Sequence, residues 1–202
     1  MGNRFNTLTL ALIPLAIVIN VVIGAVASRV VPLYLDSIGT VLVGALAGPL
    51  AGALTGFLSN IVWSLYLSDP VIIWFAPVAA VIGLIAGIAS QRGWLRRWYG
   101  ALGTGVLTGL IAASMSAPIS AYLFGGVTGA PTDTLVAFYL NLTGNLLVAT
   151  YLQGVTSDVS DKIVTYLLAW VVIKALSRRL LTRFPLGEKF IVRRRPLVGR
   201  VE

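Results

Sequence analysis

From Ser37 to Leu67 the sequence runs for 31 residues without a charged side chain. As one helix, at 1.5 Å per residue, this stretch would be about 46 Å long, whereas the hydrocarbon core of a bilayer is about 30 Å thick. The run therefore has to be divided, and Gly48-Pro49 lies in its middle. Proline lacks a backbone donor and disfavours helix at the preceding residue, yet it is well tolerated at the first position of a helix. The expected division is a short segment from Leu33 to Ala47, followed by a helix from Pro49 to Leu67.

The rest of the chain has the same character. Of 202 residues, 57% are hydrophobic and only 11% are charged, less than half the charged share of a soluble domain. This is too little charge to coat a soluble enzyme. With no Cys and no His, there can be no disulfide framework, thiolate nucleophile, imidazole metal site or Ser-His-Asp triad. The formal net charge of +8 would suggest nucleic acid on a soluble protein. Here the basic residues flank apolar segments, which points to membrane topology instead.

Further apolar runs extend from Thr7 to Ser28, Val71 to Ala89 and Gly100 to Phe124, and a last one opens at Asp158, Asp161 and Lys162 and reaches about Leu181. Thr132 to Gln153 is apolar but interrupted by Asn141, Thr143, Asn145 and Thr150. Cytoplasmic loops of membrane proteins are enriched in Lys and Arg. That places the Arg92–Arg97 loop and the basic C-terminal tail on the same, inner side. Three apolar segments lie between them, so one does not cross, and Thr132 to Gln153 is the candidate. The expected fold is an all-α membrane protein, a six-transmembrane-helix bundle with a partly folded-back segment between helices 5 and 6. Both termini are then cytoplasmic, and every basic residue except Arg29 and Lys162 falls inside. Residues 1–182 form the transmembrane domain and 183–202 a solvated cytoplasmic tail.

Polar side chains left in lipid are costly, so they turn toward an interior or a cavity. By this topology they gather near the outer half: Asp36, Ser37 and Thr40; Asn60, Trp63 and Ser64; Asp69 and Trp74; Asn141, Asn145 and Gln153; Asp158, Asp161 and Lys162. A mostly apolar, aromatic-edged cavity with a few amides and charges suits a small polar heterocycle. The expected ligand contacts are Asp36, Thr40, Asn60, Trp63, Trp74, Asn141, Asn145 and Lys162. Each also has a structural explanation. Asp158 and Asp161 could serve a helix start, Lys162 could pair with either, and the Trp residues could anchor at the interface. Gly44, Gly48, Gly52 and Gly56 fall four apart, a spacing that lets helices approach closely in lipid. They either close a hairpin within the chain or present a face to another subunit.

The motifs Leu35-Asp36-Ser37-Ile38-Gly39-Thr40, Gly48-Pro49-Leu50-Ala51-Gly52-Ala53-Leu54-Thr55-Gly56, Phe124-Gly125-Gly126-Val127-Thr128-Gly129 and Asp161-Lys162 resemble those of the substrate-binding membrane subunit, or S component, of energy-coupling factor (ECF) vitamin transporters. The resemblance implies a six-helix bundle that binds a vitamin or precursor near the outer face, under the first and fifth loops. It also implies a coupling membrane subunit and two ATPase subunits as partners. Thr7, Ala11, Gly52 and Gly56 are the docking candidates, although Ala11 is followed four residues on by Leu15 rather than by the family's Ala. No N-terminal His is present, as cobalt and nickel relatives would require. Riboflavin, a pyrimidine or pyridoxine-type precursor and other vitamins all fit. No cofactor, metal or catalytic role is expected, and no phosphate-binding loop is present, so ATP hydrolysis would fall to the partners. The contrasting expectation is a self-associating scaffold or small channel packed through the Gly44–Gly56 ladder.

Overall fold

The structure, a computed structural model, describes residues 7–30 and 33–191, without the side chains of 28–30. Arg4, Arg193–Arg195 and Arg200, which the topology argument used, lie outside what is described, as does the side chain of Arg29. Helix α1 spans Thr7–Val30, α2 Ile38–Ala47, α3 Pro49–Leu67, α4 Ala76–Gln91 and α5 Trp98–Pro118. These are followed by α6 Asp133–Thr143, α7 Leu146–Ala175 and the single turn α8 Arg178–Leu181. A 3₁₀ turn at Ile72–Phe75 leads into α4, and a π turn at Ile119–Leu123 extends α5. Among the described residues no strand occurs, and four helices are long and apolar enough to cross a membrane: Thr7–Ala27, Pro49–Leu67, Ile72–Gln91 and Trp98–Leu123.

The surface pattern suits lipid. On α1, Leu15, Val18, Val22 and Val26 form one stripe, each more than half exposed. The opposite face buries Ile13, Ala16, Ile17, Asn20 and Val21. Large apolar side chains facing outward over smaller and more polar ones reverse the arrangement that water would favour.

The charge-free run divides at Gly48. This residue has φ +108°, where a side chain would be strained, and Pro49 takes the first position of α3. A helix ending inside a bundle leaves carbonyls without partners. Two of those on α2 find donors elsewhere: Ser90 Oγ donates to Ala45 O at 2.6 Å and the Leu186 N–H to Leu46 O at 2.9 Å.

The glycine ladder closes contacts within the chain. A Cβ at Gly52 would lie 2.6 Å from Gly83 O, and one at Gly44 2.7 Å from the same atom. At Gly56 it would collide with Ala79 O, and at Gly87 with Pro49. Gly52 and Gly56 are buried in this seam. Backbone of α4 thus already occupies the space beside Gly52 and Gly56, the two glycines named as docking candidates. A second seam joins α5 to α7, where Gly105 faces Ile163 and Gly109 faces Val159.

Two expectations change. Thr132 to Gln153 is not one element. It comprises α6, a left-handed break at Gly144 (φ +64°), and the first two turns of α7. α6 turns back against α7, bringing the Tyr139 hydroxyl 2.7 Å from Thr156 Oγ1. Asp158, Asp161 and Lys162 consequently lie in the middle of a 30-residue helix rather than at its start. The tail also begins later than expected. Phe184 and Phe190 are buried with Leu46 and Leu95, Arg96 Nε donates to Lys189 O at 2.8 Å, and Lys189 Nζ donates to Gln91 O. Two phenylalanines and Leu186 provide enough apolar surface to hold this stretch against the bundle.

Gly83→Leu should strain the α3–α4 seam and lower stability by about 1–3 kcal/mol. A thermal melt of the detergent-solubilised protein checks this. Gly103→Ala is the control, since nothing lies within 4 Å of a Cβ there, and it should melt no lower than wild type.

Candidate functional site

Three connections meet at one end of the bundle: residues 33–37 between α1 and α2, 68–75 between α3 and α4, and 124–132 between α5 and α6. Beneath them lies a cavity of about 400 Å³, within the size range of small-molecule sites. Its wall combines Tyr34, Trp63, Phe75 and Ile72 with a polar set that includes Asp36, Asn60, Ser116 and Asp158.

The electrostatic centre is Lys162, buried on α7. Its Nζ donates to Asp161 Oδ2 at 2.5 Å and to Ser37 Oγ at 2.8 Å, and lies 3.6 Å from Asp36 Oδ1. Asp161 is fully buried. Its other oxygen accepts the Leu35 N–H at 2.7 Å. Leu35 has φ +47°, a left-handed conformation that costs energy for a bulky residue. The Asp161 carboxylate thus holds a strained link in place, and that link points Asp36 and Tyr34 at the cavity. The Tyr34 hydroxyl in turn lies 2.7 Å from Thr132 Oγ1, joining the first connection to the start of α6. The third connection is folded on Asp133, which accepts the N–H groups of Thr128 and Gly129 at 2.9 and 2.8 Å and the Thr128 hydroxyl at 2.8 Å.

Behind the wall, Asn20 fastens three helices together. Its Nδ2 donates to Thr40 Oγ1 at 2.8 Å and Ser59 Oγ at 2.9 Å, and its Oδ1 accepts the Gly39 N–H at 2.7 Å. Close approach makes this geometry possible, because Gly39 sits directly on the backbone of Ala16, with no room for a Cβ.

Of the expected ligand contacts, the structure brings together Asp36, Thr40, Asn60, Trp63 and Lys162 on the cavity wall. Trp74 is 54% exposed and lies off the wall. Asn141 and Asn145 are exposed as well, and Asn145 caps α7, its Oδ1 accepting the Val148 N–H at 3.1 Å. The structure thus places these three off the cavity wall: α6 is an exposed helix, and the residue before a helix start is committed to its backbone. Among the docking candidates, Thr7 and Ala11 are exposed on α1, whereas Gly56 lines the cavity. Asn20, Tyr34, Ser59 and Ser116 were not singled out from sequence. Asn20 did carry a signal, as a lone amide in the charge-free run from Thr7 to Ser28. Tyr34 carried none.

Asn20→Leu would leave the buried Gly39 N–H without a partner and remove both side-chain acceptors' donor. It should cost about 2–4 kcal/mol, measured as a lower melting temperature. Asn20→Asp, which keeps the acceptor for Gly39, should not rescue the loss, since it buries a charge.

Comparison of the chain with protein-family models, with curated proteins and with solved structures finds no match.

Proposed function

We propose that this protein is the substrate-binding integral membrane subunit of an ECF-type importer, which captures a small vitamin or vitamin precursor at the outer face of the cell membrane. The observation that carries this reading is the cavity itself. It is about 400 Å³ in volume, part aromatic and part charged, and is built from residues as far apart in sequence as Tyr34 and Lys162. The motifs quoted above for the ECF resemblance supply several of its parts, namely Asp36, Ser37, Thr40, Thr128 and Lys162.

In this reading the chain crosses six times: α1, residues 33–47, α3, residues 72–91, residues 98–123 and α7. Both termini are cytoplasmic. The mid-helix break at Gly48 and the basic loop Arg92–Arg97 lie at the inner face, and the cavity lies toward the outer face. α6 stays at the outer end, folded against α7. A coupling membrane subunit docks on the exposed face of α1 that carries Thr7 and Ala11, and two ATPase subunits supply the energy. The chain itself performs no catalysis.

Purification in mild detergent from its own membranes should yield one tightly held organic solute, released on denaturation and identified by mass spectrometry. An ATPase pair should co-purify. An empty protein that brings down no ATPase would contradict the proposal.

A further inference from the structure

We propose that the cavity selects a positively charged, ring-bearing solute and rejects carboxylate anions. This deepens the reading of the site as a solute-binding pocket and rests on it.

The argument begins with the charges. Three carboxylates line the cavity, those of Asp36, Asp69 and Asp158, and Asp161 stands directly behind. The only basic residue on the described wall is Lys162. An ammonium has three protons to donate; two of those of Lys162 go to Asp161 and Ser37, and its charge is also paired with Asp36, whose carboxylate lies 3.6 Å away. A solute carboxylate entering the cavity would have to compete with two carboxylates already paired with the one cation and would face an excess of like charge. The lysine fastens the wall together and is not an anion hook.

Asp158 supplies the second observation. It is 9% exposed, and among the described residues its one hydrogen-bond contact is Ser116 Oγ at 3.3 Å. That hydroxyl has a single proton, and Ala112 O lies closer to it, at 2.8 Å. The carboxylate therefore stands on the cavity wall, nine-tenths buried, without a committed donor. Leaving such a group unpaired is costly, and a solute bearing charged N–H groups would complete it. An inorganic cation is the poorer match, because among the described residues no group of three or more acidic side chains is arranged to hold a metal. The body of the solute has its own match. Tyr34, Trp63 and Phe75 line the same space, and aromatic faces attract a cationic ring as well as stacking on it.

The test uses three planar probes of nearly equal shape: benzamidine (cation), benzamide (neutral) and benzoate (anion). Binding to the full-length protein in lipid nanodiscs is measured by calorimetry. Benzamidine should bind at least about tenfold more tightly than benzamide, and benzoate weakest. Asp158→Asn should lower the benzamidine-to-benzamide affinity ratio by about tenfold or more. Asp36→Asn provides a second variant should the first fail to fold. Benzoate binding as tightly as benzamidine, or no probe binding at millimolar concentration, overturns the proposal. The two readings fail separately. Release of an anionic native solute together with a co-purifying ATPase would sink the charge selectivity and leave the transport reading intact. Cation-selective binding without any ATPase partner would support the selectivity and count against transport.

Discussion

The pairing of Lys162 with Asp161 organises the cavity end of the molecule. Both groups lie buried in the middle of α7, where a charge without a partner would be costly. Once paired, each has bonding capacity left over. Lys162 reaches Ser37 and Asp36, and Asp161 reaches the Leu35 N–H. A contact between neighbouring residues on one helix thus becomes the fastening for a link between two others. The left-handed turn at Leu35 persists because this fastening over-determines it. Through Tyr34 and Thr132 the constraint passes on to the start of α6.

The helices themselves are held differently. No hydrophobic force drives them together in lipid, so close packing and buried polar contacts have to do so. The α3–α4 and α5–α7 seams provide the packing, through glycines that let backbone touch backbone. Asn20 provides the polar contact among α1, α2 and α3. Tight seams on either side and a looser centre leave room for the cavity.

What could be read from sequence depended on whether the determining physics was local. The break at Gly48-Pro49 was legible, because a missing donor and a left-handed φ belong to those two residues alone. The start of α7 was not. Its polar residues look like a loop when lipid is taken to surround the whole helix, but they are stable where they face inward onto Asp36 and Ser37. The cavity's charged members could be named because charges in an apolar run have few places to go. Asn141 and Asn145 obeyed the same rule of thumb and yet lie outside, since α6 is not immersed in the bundle. The folded stretch at 182–191 depended on two phenylalanines finding Leu46 and Leu95 far away in the chain, a match that no local pattern encodes.

The account depends on the cavity end and the Arg92–Arg97 loop lying on opposite sides of the membrane, with the cavity outside. The protein has no cysteine, so single cysteines can be introduced and labelled with a membrane-impermeant maleimide on intact cells. Val127→Cys, 71% exposed in the wild-type residue and next to the cavity mouth, should label without permeabilisation. Arg97→Cys should label only after the membrane is opened. The reverse pattern, or labelling of both from outside, would contradict the account.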